Sequence, residues 1–240
     1  MAMQKRREKI NLKYNINIDD VHKNNIITNP GKWTQIFLSQ AENYANIDDF
    51  TPPGVEYIML DKFVKNMAIA ESTNPRMPII IRMQTTGGHW DEGMAIYDTI
   101  KTSSSLVAIL NYESACSMSS IIFLAGDKRV MMPNSYFMFH DGSLRLSGTI
   151  KQVESAFEFE KRVIMPTMWD IYARALKEQG KYKDWPEEKI IEMLHDIRDK
   201  KDETYLTAKQ AVEWGFADEI FDGDWKSLTK YTNQQRQRKG

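Results

Sequence analysis

The sequence is poor in cysteine and in long apolar runs. Cys116 is the only cysteine among 240 residues, so the chain can form neither an intramolecular disulfide nor a zinc site of several thiolates. A reducing compartment is the natural interpretation. The longest apolar runs, such as Ile121–Ala125, are far shorter than the ~20 residues that span a bilayer, and no apolar signal core follows the basic residues 1–9. We therefore expect a soluble, cytoplasmic protein without a membrane segment.

The chain also lacks an excess of either positive or negative charge. The 32 Lys and Arg residues nearly balance the 33 Asp and Glu residues, for a formal net charge of −1. This excludes a strongly basic nucleic-acid-binding protein. No phosphate-binding loop of the Gly-x-x-x-x-Gly-Lys-[Ser/Thr] type is present, and the four histidines and one cysteine show no metal-ligand spacing. We expect no metal and no cofactor.

The order of predicted elements indicates an α/β domain. Apolar spacing predicts a helix from Val55 to Ala70, and then strands and helices alternate. The predicted segments are the strand Pro78–Met83, the helix Glu92–Thr102, the strand Leu106–Leu110, the helix Ser117–Leu124, and the strands Arg129–Met132 and Tyr136–His140. This order is typical of parallel βαβ units.

Helices dominate the remainder of the prediction. A long helical stretch over Thr149–Lys177 should be kinked or interrupted at Pro166. Further helices are predicted over Pro186–Asp199 and Thr207–Trp214. The polar and basic end, Gln234–Gly240, is expected to fray.

A glycine pair stands directly after the strand Pro78–Met83. In Thr85–Gly88, glycine lets the backbone approach a ligand and turn its N–H groups outward. An ordinary strand-to-helix turn is the alternative.

A serine-rich segment, Ser114–Ser120, joins a strand to an apolar helix. Ser117 would lie in the first turn of that helix, where free backbone N–H groups can stabilise an oxyanion. The alternatives are a helix-capping serine and, for the neighbouring Cys116, either a rival nucleophile or, more in keeping with a lone thiol, a small buried residue.

A serine nucleophile needs a general base, and histidine is the commonest one near neutral pH. His140 ends an apolar strand, where a side chain can emerge at a sheet edge. His89 adjoins the glycine pair and is the main rival, because His22 lies in the polar N-terminal region and His195 lies on a predicted helix. A structural histidine is the alternative.

These segments, in this order, resemble the Clp proteolytic subunit (ClpP) family, serine peptidases of the ClpP/crotonase superfamily. The resemblance runs from about residue 55 to residue 220. The matching motifs are the Gly-Met-x-Ile-Tyr-Asp-Thr helix at Gly93–Thr99, Ala-x-Ser-Met at Ala115–Met118, Pro-Asn-Ser…Met-x-His at Pro133–His140, and the C-terminal pattern at Tyr205–Ala208, Ala211–Gly215 and Asp218.

The resemblance implies a role for each site residue. Ser117 would be the nucleophile and His140 the general base, and the backbone N–H groups of Gly88 and Met118 would form the oxyanion hole. The family places a carboxylate two residues before the aromatic residue Tyr205, which is Glu203 here. Asp202 is the second candidate, and a merely solvated run of charges is the alternative for both.

The resemblance also implies a fold and an assembly. The fold would be a ClpP/crotonase-like spiral of βαβ units with a protruding helical handle at about 143–185. Residues 1–50 would be a divergent segment that lines a pore or contacts a partner, 51–222 the peptidase domain, and 223–240 a polar basic tail. Members form heptameric rings that stack into tetradecamers, degrade polypeptides, and work with an AAA+ unfoldase that uses the ATP. Divergent members also occur in phages, which would place this chain in a host cytoplasm.

Four other functions stay open. The chain could be a catalytically weak or inactive ring subunit, because Glu203 stands where the family has an aspartate. It could be a crotonase-type acyl-CoA enzyme, although the serine and histidine motifs together argue against this. Related signal-peptide peptidases and prohead proteases are nearer rivals. The lack of a membrane segment disfavours the signal-peptide peptidases.

Overall fold

The computed structural model describes residues 25–28, 33–39 and 54–238. The strands are β1 (Ile26–Ile27), β2 (Thr34–Ser39), β3 (Ile79–Thr85), β4 (Val107–Cys116), β5 (Lys128–Met131), β6 (Tyr136–His140), β7 (Glu203–Thr207) and β8 (Glu219–Ile220). The α-helices are α1 (Tyr57–Thr73), α2 (Trp90–Thr102), α3 (Met118–Leu124), α4 (Ile150–Phe159), α5 (Met165–Glu178), α6 (Glu187–Lys200), α7 (Ala208–Trp214) and α8 (Asn233–Gln237). A π-helical turn (Glu160–Ile164) joins α4 to α5, and a short 3₁₀ turn lies at Ser227–Thr229.

The strands form one mixed sheet that is mostly parallel. Its main order is β1-β2-β3-β4-β5-β8. The pairs β1–β2 and β6–β7 are antiparallel, and the other pairs in this sheet are parallel. Because helices connect the parallel strands β3, β4 and β5, these elements are βαβ units. The α/β prediction is therefore confirmed.

Both faces of the sheet are covered, which explains the uninterrupted isoleucines of β3. Side chains alternate between faces along a strand. Ile79 and Ile81 join the larger apolar cluster, to which the helices α1 to α3 and α5 to α7 contribute. Ile80 points to the opposite face, where a smaller cluster contains Leu228 and is flanked by Trp225. A strand buried on both faces has no polar positions to alternate with.

Strand β4 changes partners along its length, so that β5 and β6 both pair with it on different segments. Its first half pairs with β5, from Ala108 to Asn111. Its second half, Ser114 to Cys116, pairs with β6 instead. The sequence prediction ended this strand at Leu110, whereas the observed strand continues to Cys116. Its last three residues belong to it because they pair with β6.

The predicted interruption of the long helix is confirmed, and its form is a π-helical turn. Pro166 lies in the first turn of α5, directly after the π-helical turn. A proline has no N–H to donate to the carbonyl four residues earlier, so a regular helix cannot continue through it. The segment α4–α5 lies within residues 143–185, where the handle was predicted, and it exposes the apolar side chains of Ile150, Phe157, Phe159 and Val163.

The end of the chain differs from the prediction. Residues 233–237 are helical and Arg238 is only 7% exposed, so the frayed tail was wrong for residues up to 238. The Arg238 guanidinium binds both carboxylate oxygens of Asp218, at 2.9 and 2.8 Å. The Asp218 carboxylate also accepts the Arg129 backbone N–H at 2.7 Å, and the Arg129 guanidinium donates to Glu178 at 3.0 Å. We call these four side chains the ion-pair cluster.

Most of the predicted N-terminal segment, residues 1–50, lies outside the described residues. Within the described ranges, no helix has the length and apolar character needed to cross a bilayer.

Candidate active site

Ser117 occupies a sharp junction between β4 and α3. Its backbone has φ 53° and ψ −130°, a left-handed conformation that is unusual for a residue other than glycine. Two backbone hydrogen bonds hold it: its N–H donates to the Met138 carbonyl at 3.2 Å, and its carbonyl accepts the Ser120 N–H at 2.9 Å. Strained strand-to-helix turns of this kind present a nucleophile above the end of a sheet.

A neighbouring serine ties this junction to the glycine turn. The Ser119 hydroxyl lies 2.7 Å from the carbonyls of both Thr85 and Cys116, and it accepts the Cys116 N–H at 3.0 Å. Ser119 is fully buried. The turn after β3 and the junction after β4 are therefore fixed relative to one another.

His140 is brought to Ser117 by the pairing of β6 with β4. Cys116 lies opposite Met138 in this parallel ladder, so the residues just beyond them meet at the same edge of the sheet. His140 Nε2 lies 2.8 Å from Ser117 Oγ, within hydrogen-bonding distance. The rival His89 is exposed, and its Nδ1 lies 3.7 Å from Glu92.

Two backbone amides of the predicted oxyanion hole lie beside Ser117. The Val55 N–H donates to the Gly87 carbonyl at 2.7 Å, and the His89 N–H donates to the Val55 carbonyl at 2.8 Å. Gly88 lies between these two bonds, so its own N–H points away from Val55. The Met118 N–H is the first of α3 and therefore has no partner within the helix.

Glycine is required at this turn for steric reasons. A Cβ on Gly88 would lie 2.3 Å from the Val55 carbonyl oxygen. A Cβ on Gly87, which has φ 109°, would lie 2.8 Å from the Ser117 Cβ. The backbone approaches the serine this closely because neither residue has a side chain.

The two candidate carboxylates differ in their position relative to the histidine. Glu203 is the residue directly opposite His140 in the antiparallel β6–β7 ladder, so the two side chains emerge on the same face. Asp202 precedes the strand and is exposed. In the described part of the chain, no hydrogen bond joins either carboxylate to the imidazole.

The structure also shows contacts that the sequence analysis missed. The Tyr205 hydroxyl donates to Glu203 Oε2 at 2.7 Å. The indole N–H of Trp169 donates to Asp141, the residue after His140, at 3.1 Å. No strand was predicted over residues 203–207, and without it the sequence gives no reason to place Tyr205 beside Glu203.

Cys116 is a poor rival nucleophile. Its side chain is buried, with 5% exposed, and burial raises the pKa of this thiol to about 11. At neutral pH it therefore remains a thiol, whereas the thiolate is the reactive form.

A cavity of about 800 Å³ opens in front of Ser117 and His140. Its buried floor is apolar and includes Met118, Ile121 and Met168. Its exposed and half-buried rim carries the carboxylates of Asp91, Glu92, Asp141 and Glu160. Cavities of this size and composition accept a ligand with an apolar portion.

A serine hydrogen-bonded to a histidine is an arrangement found in serine hydrolases of several unrelated folds. The family model for the Clp protease matches residues 48–224. The chain therefore belongs to the Clp protease family, and it is a serine-type peptidase subunit by that membership.

Individual relatives agree with this assignment. The ATP-dependent Clp protease proteolytic subunit of Deinococcus radiodurans is 30% identical over 175 residues, which cover 72% of this chain and 79% of the relative. The ATP-dependent Clp protease proteolytic subunit 3 of Synechococcus sp. (strain CC9605) is 29% identical over 194 residues, which cover 76% of this chain and 90% of that protein.

Proposed function

We propose that this protein is a serine endopeptidase that cleaves unfolded polypeptides as the proteolytic subunit of a ring-forming Clp protease. The 2.8 Å contact between Ser117 Oγ and His140 Nε2 is the observation that carries the proposal. Glu203 is the carboxylate of choice for the third role, because it lies opposite His140 in the sheet. No cofactor is required for this chemistry.

The mechanism follows from the positions of the groups. His140 Nε2 takes the proton of the Ser117 hydroxyl while the oxygen attacks a peptide carbonyl. The N–H groups of Gly88 and Met118 receive the developing oxyanion. The imidazolium then protonates the leaving amine, and a water activated by His140 hydrolyses the acyl-enzyme. A carboxylate beside the imidazole would stabilise its charged form.

The cavity suits a polypeptide substrate. Its apolar floor can take the side chain of one residue, while its open, polar rim leaves room for the chain to continue on either side. An endopeptidase needs such an open site, because both ends of its substrate extend beyond the scissile bond.

Assembly into rings is part of the same proposal. The apolar side chains exposed on the handle, Ile150, Phe157, Phe159 and Val163, need a covering partner. We infer that further copies of this chain cover them in a heptameric ring and a stacked tetradecamer. The relatives are named ATP-dependent proteases, so we expect an AAA+ unfoldase partner to supply the ATP hydrolysis, in a cytoplasmic compartment.

A fluorophosphonate probe tests the nucleophile. We expect the purified protein to be labelled at Ser117, as located by mass spectrometry, and Ser117→Ala to remain unlabelled. Ser143→Ala is the matched control, because Ser143 lines the same cavity and is exposed; this variant should label normally. Size measurement in solution shows whether rings are present in the sample.

The outcome of labelling also decides between an active peptidase and a catalytically inactive ring subunit. Assembled protein that fails to label and fails to cleave an unstructured fluorogenic peptide would contradict the proposed activity. That result would support a catalytically inactive ring subunit instead.

A further inference from the structure

Tyr205 lies two residues after Glu203 on β7, so both side chains emerge on the same face of that strand. In the ladder with β6, Glu203 is opposite His140 and Tyr205 is opposite Met138. The tyrosine hydroxyl, the carboxylate and the imidazole therefore follow one another along a single face of the β6–β7 pair.

The hydroxyl is bonded to the carboxylate. It donates to Glu203 Oε2 at 2.7 Å, and this hydrogen bond to Glu203 raises the pKa of Tyr205 to about 12. The Tyr205 ring is held in turn by the ring of Tyr136 on β6, with the ring centres 5.9 Å apart. The donor therefore comes from a side chain that is anchored to the neighbouring strand.

Glu203 has reason to need such a restraint. Its side chain is exposed, and a glutamate has one more rotatable bond than an aspartate, so its carboxylate can leave the strand face easily. A carboxylate has two oxygens and can accept several hydrogen bonds. The bond from Tyr205 occupies Oε2 and leaves Oε1 for another donor.

We propose that Tyr205 is a positioning residue for the catalytic histidine. Its hydroxyl holds the Glu203 carboxylate on the face of the strand pair that His140 occupies, where Oε1 can accept the Nδ1–H of the imidazolium that forms during acyl transfer. This inference rests on the proposed function, because it assigns Glu203 the third role in the site.

The kinetic test compares two tyrosines that pack against each other. In Tyr205→Phe, which keeps the ring and loses the hydroxyl, kcat should fall about fivefold with KM unchanged, as for a hydrogen bond of ordinary net strength. A carboxylate near an imidazole raises the pKa of the imidazole, so the acid limb of the pH profile should move to lower pH. In Tyr136→Phe, which keeps the Tyr205–Glu203 bond, kcat and the acid limb of the pH profile should be unchanged. An unchanged pH profile in Tyr205→Phe would overturn the proposal.

A double-mutant cycle separates positioning from a general structural effect. In a Glu203→Gln background the amide no longer offers the charge that the hydroxyl positions. Adding Tyr205→Phe should then cause no further loss of kcat. An equal loss in both backgrounds would show that the hydroxyl acts on something other than Glu203, and the proposal would be wrong.

NMR of the His140 ring gives a result that does not depend on turnover. We expect the ring signals of His140 to shift in Tyr205→Phe and to stay unchanged in Tyr136→Phe, and unchanged signals in Tyr205→Phe would overturn the positioning role. If no peptide is cleaved at all, the proposed function fails, and these spectra still decide whether Tyr205 acts on His140.

Discussion

The candidate active site and the ion-pair cluster use similar polar groups in opposite ways. In the cluster, Asp218 and Arg238 have side chains only 6% and 4% exposed, and the Asp218 carboxylate accepts hydrogen bonds from two arginines. In the site, Ser117 and His140 are half-buried and Glu203 is exposed. Groups that hold the fold together are buried and share several charged partners, whereas groups that can react keep sides that are open to solvent or substrate.

The largest difference should appear when one essential group of the site is changed. His140→Gln should lower kcat/KM for a fluorogenic peptide by about 10⁶-fold, because Ser117 loses its general base. The urea midpoint of unfolding should change little, because His140 is half-buried and is not part of the ion-pair cluster.

His89→Gln is the matched control, because His89 lines the same cavity and is exposed. We expect it to keep activity close to that of the unmodified protein. Equal losses in the two variants would contradict the assignment of the base to His140.

The reverse result is expected in the ion-pair cluster. Asp218→Asn keeps the shape but removes the charge that compensates Arg129 and Arg238, and breaking a buried pair in this way costs about 3–5 kcal/mol of unfolding free energy. Fluorophosphonate labelling at Ser117 should persist under conditions in which the variant is folded. Asp184→Asn, at an exposed aspartate, should leave stability unchanged; a loss below about 1 kcal/mol in Asp218→Asn would show that the cluster is not a stabilising unit.

The glycine turn lies between the two extremes, since it serves both backbone structure and chemistry. Gly88→Ala places a Cβ 2.3 Å from the Val55 carbonyl oxygen, so the turn must shift, at a cost of about 1–3 kcal/mol in unfolding free energy. If Gly88 donates to the oxyanion as proposed, kcat should fall as well, because the shift of the turn displaces its N–H.

Gly142→Ala provides the comparison for stability. Gly142 has φ 82°, but no atom lies within 4 Å of its added Cβ, so only the conformational cost of about 1 kcal/mol remains. If urea unfolding shows the same loss for both variants, the close contact with Val55 is not what requires glycine at residue 88.

The smallest effect is the acid sensitivity of the cluster. Burial by itself raises the pKa of Asp218, but the positive charges of Arg129 and Arg238 outweigh it and hold the pKa below its ordinary value. Asp218 therefore stabilises the fold above its unfolded-state pKa of about 3.9, and this contribution is lost as the pH falls through the lower folded-state value. The difference in unfolding free energy between the unmodified protein and Asp218→Asn should shrink between pH 7 and pH 3; a constant difference would contradict the lowered pKa.

The sequence predicted the parts of the molecule whose order depends on local pattern. The β6 strand, Tyr136–His140, has the predicted bounds, and the helix after it breaks next to Pro166. The residues of the serine–histidine pair could be chosen because Ser117 opens a predicted helix, His140 ends a predicted strand, and the motifs around both resemble those of the Clp protease family.

The parts that the sequence missed depend on distant partners. Strand β7 buries only Leu206 among its five residues, so its pattern is too polar to predict a strand, and its order comes from pairing with β6. Arg238 is buried only because Asp218 and Glu178 neutralise it, and nothing in the terminal residues themselves indicates this.

The change of partner along β4 has one more consequence. Ser117 follows β4 and His140 ends β6, and these two strands are hydrogen-bonded to each other directly, at Ala115–Phe137 and Cys116–Met138. Their separation is thus inherited from the constant spacing of a backbone ladder, about 4.8 Å between strands, and owes nothing to the length of the Pro133–Asn134 turn. Insertions into that turn would lengthen the loop between β5 and β6 and leave the distance between the two reacting atoms unchanged.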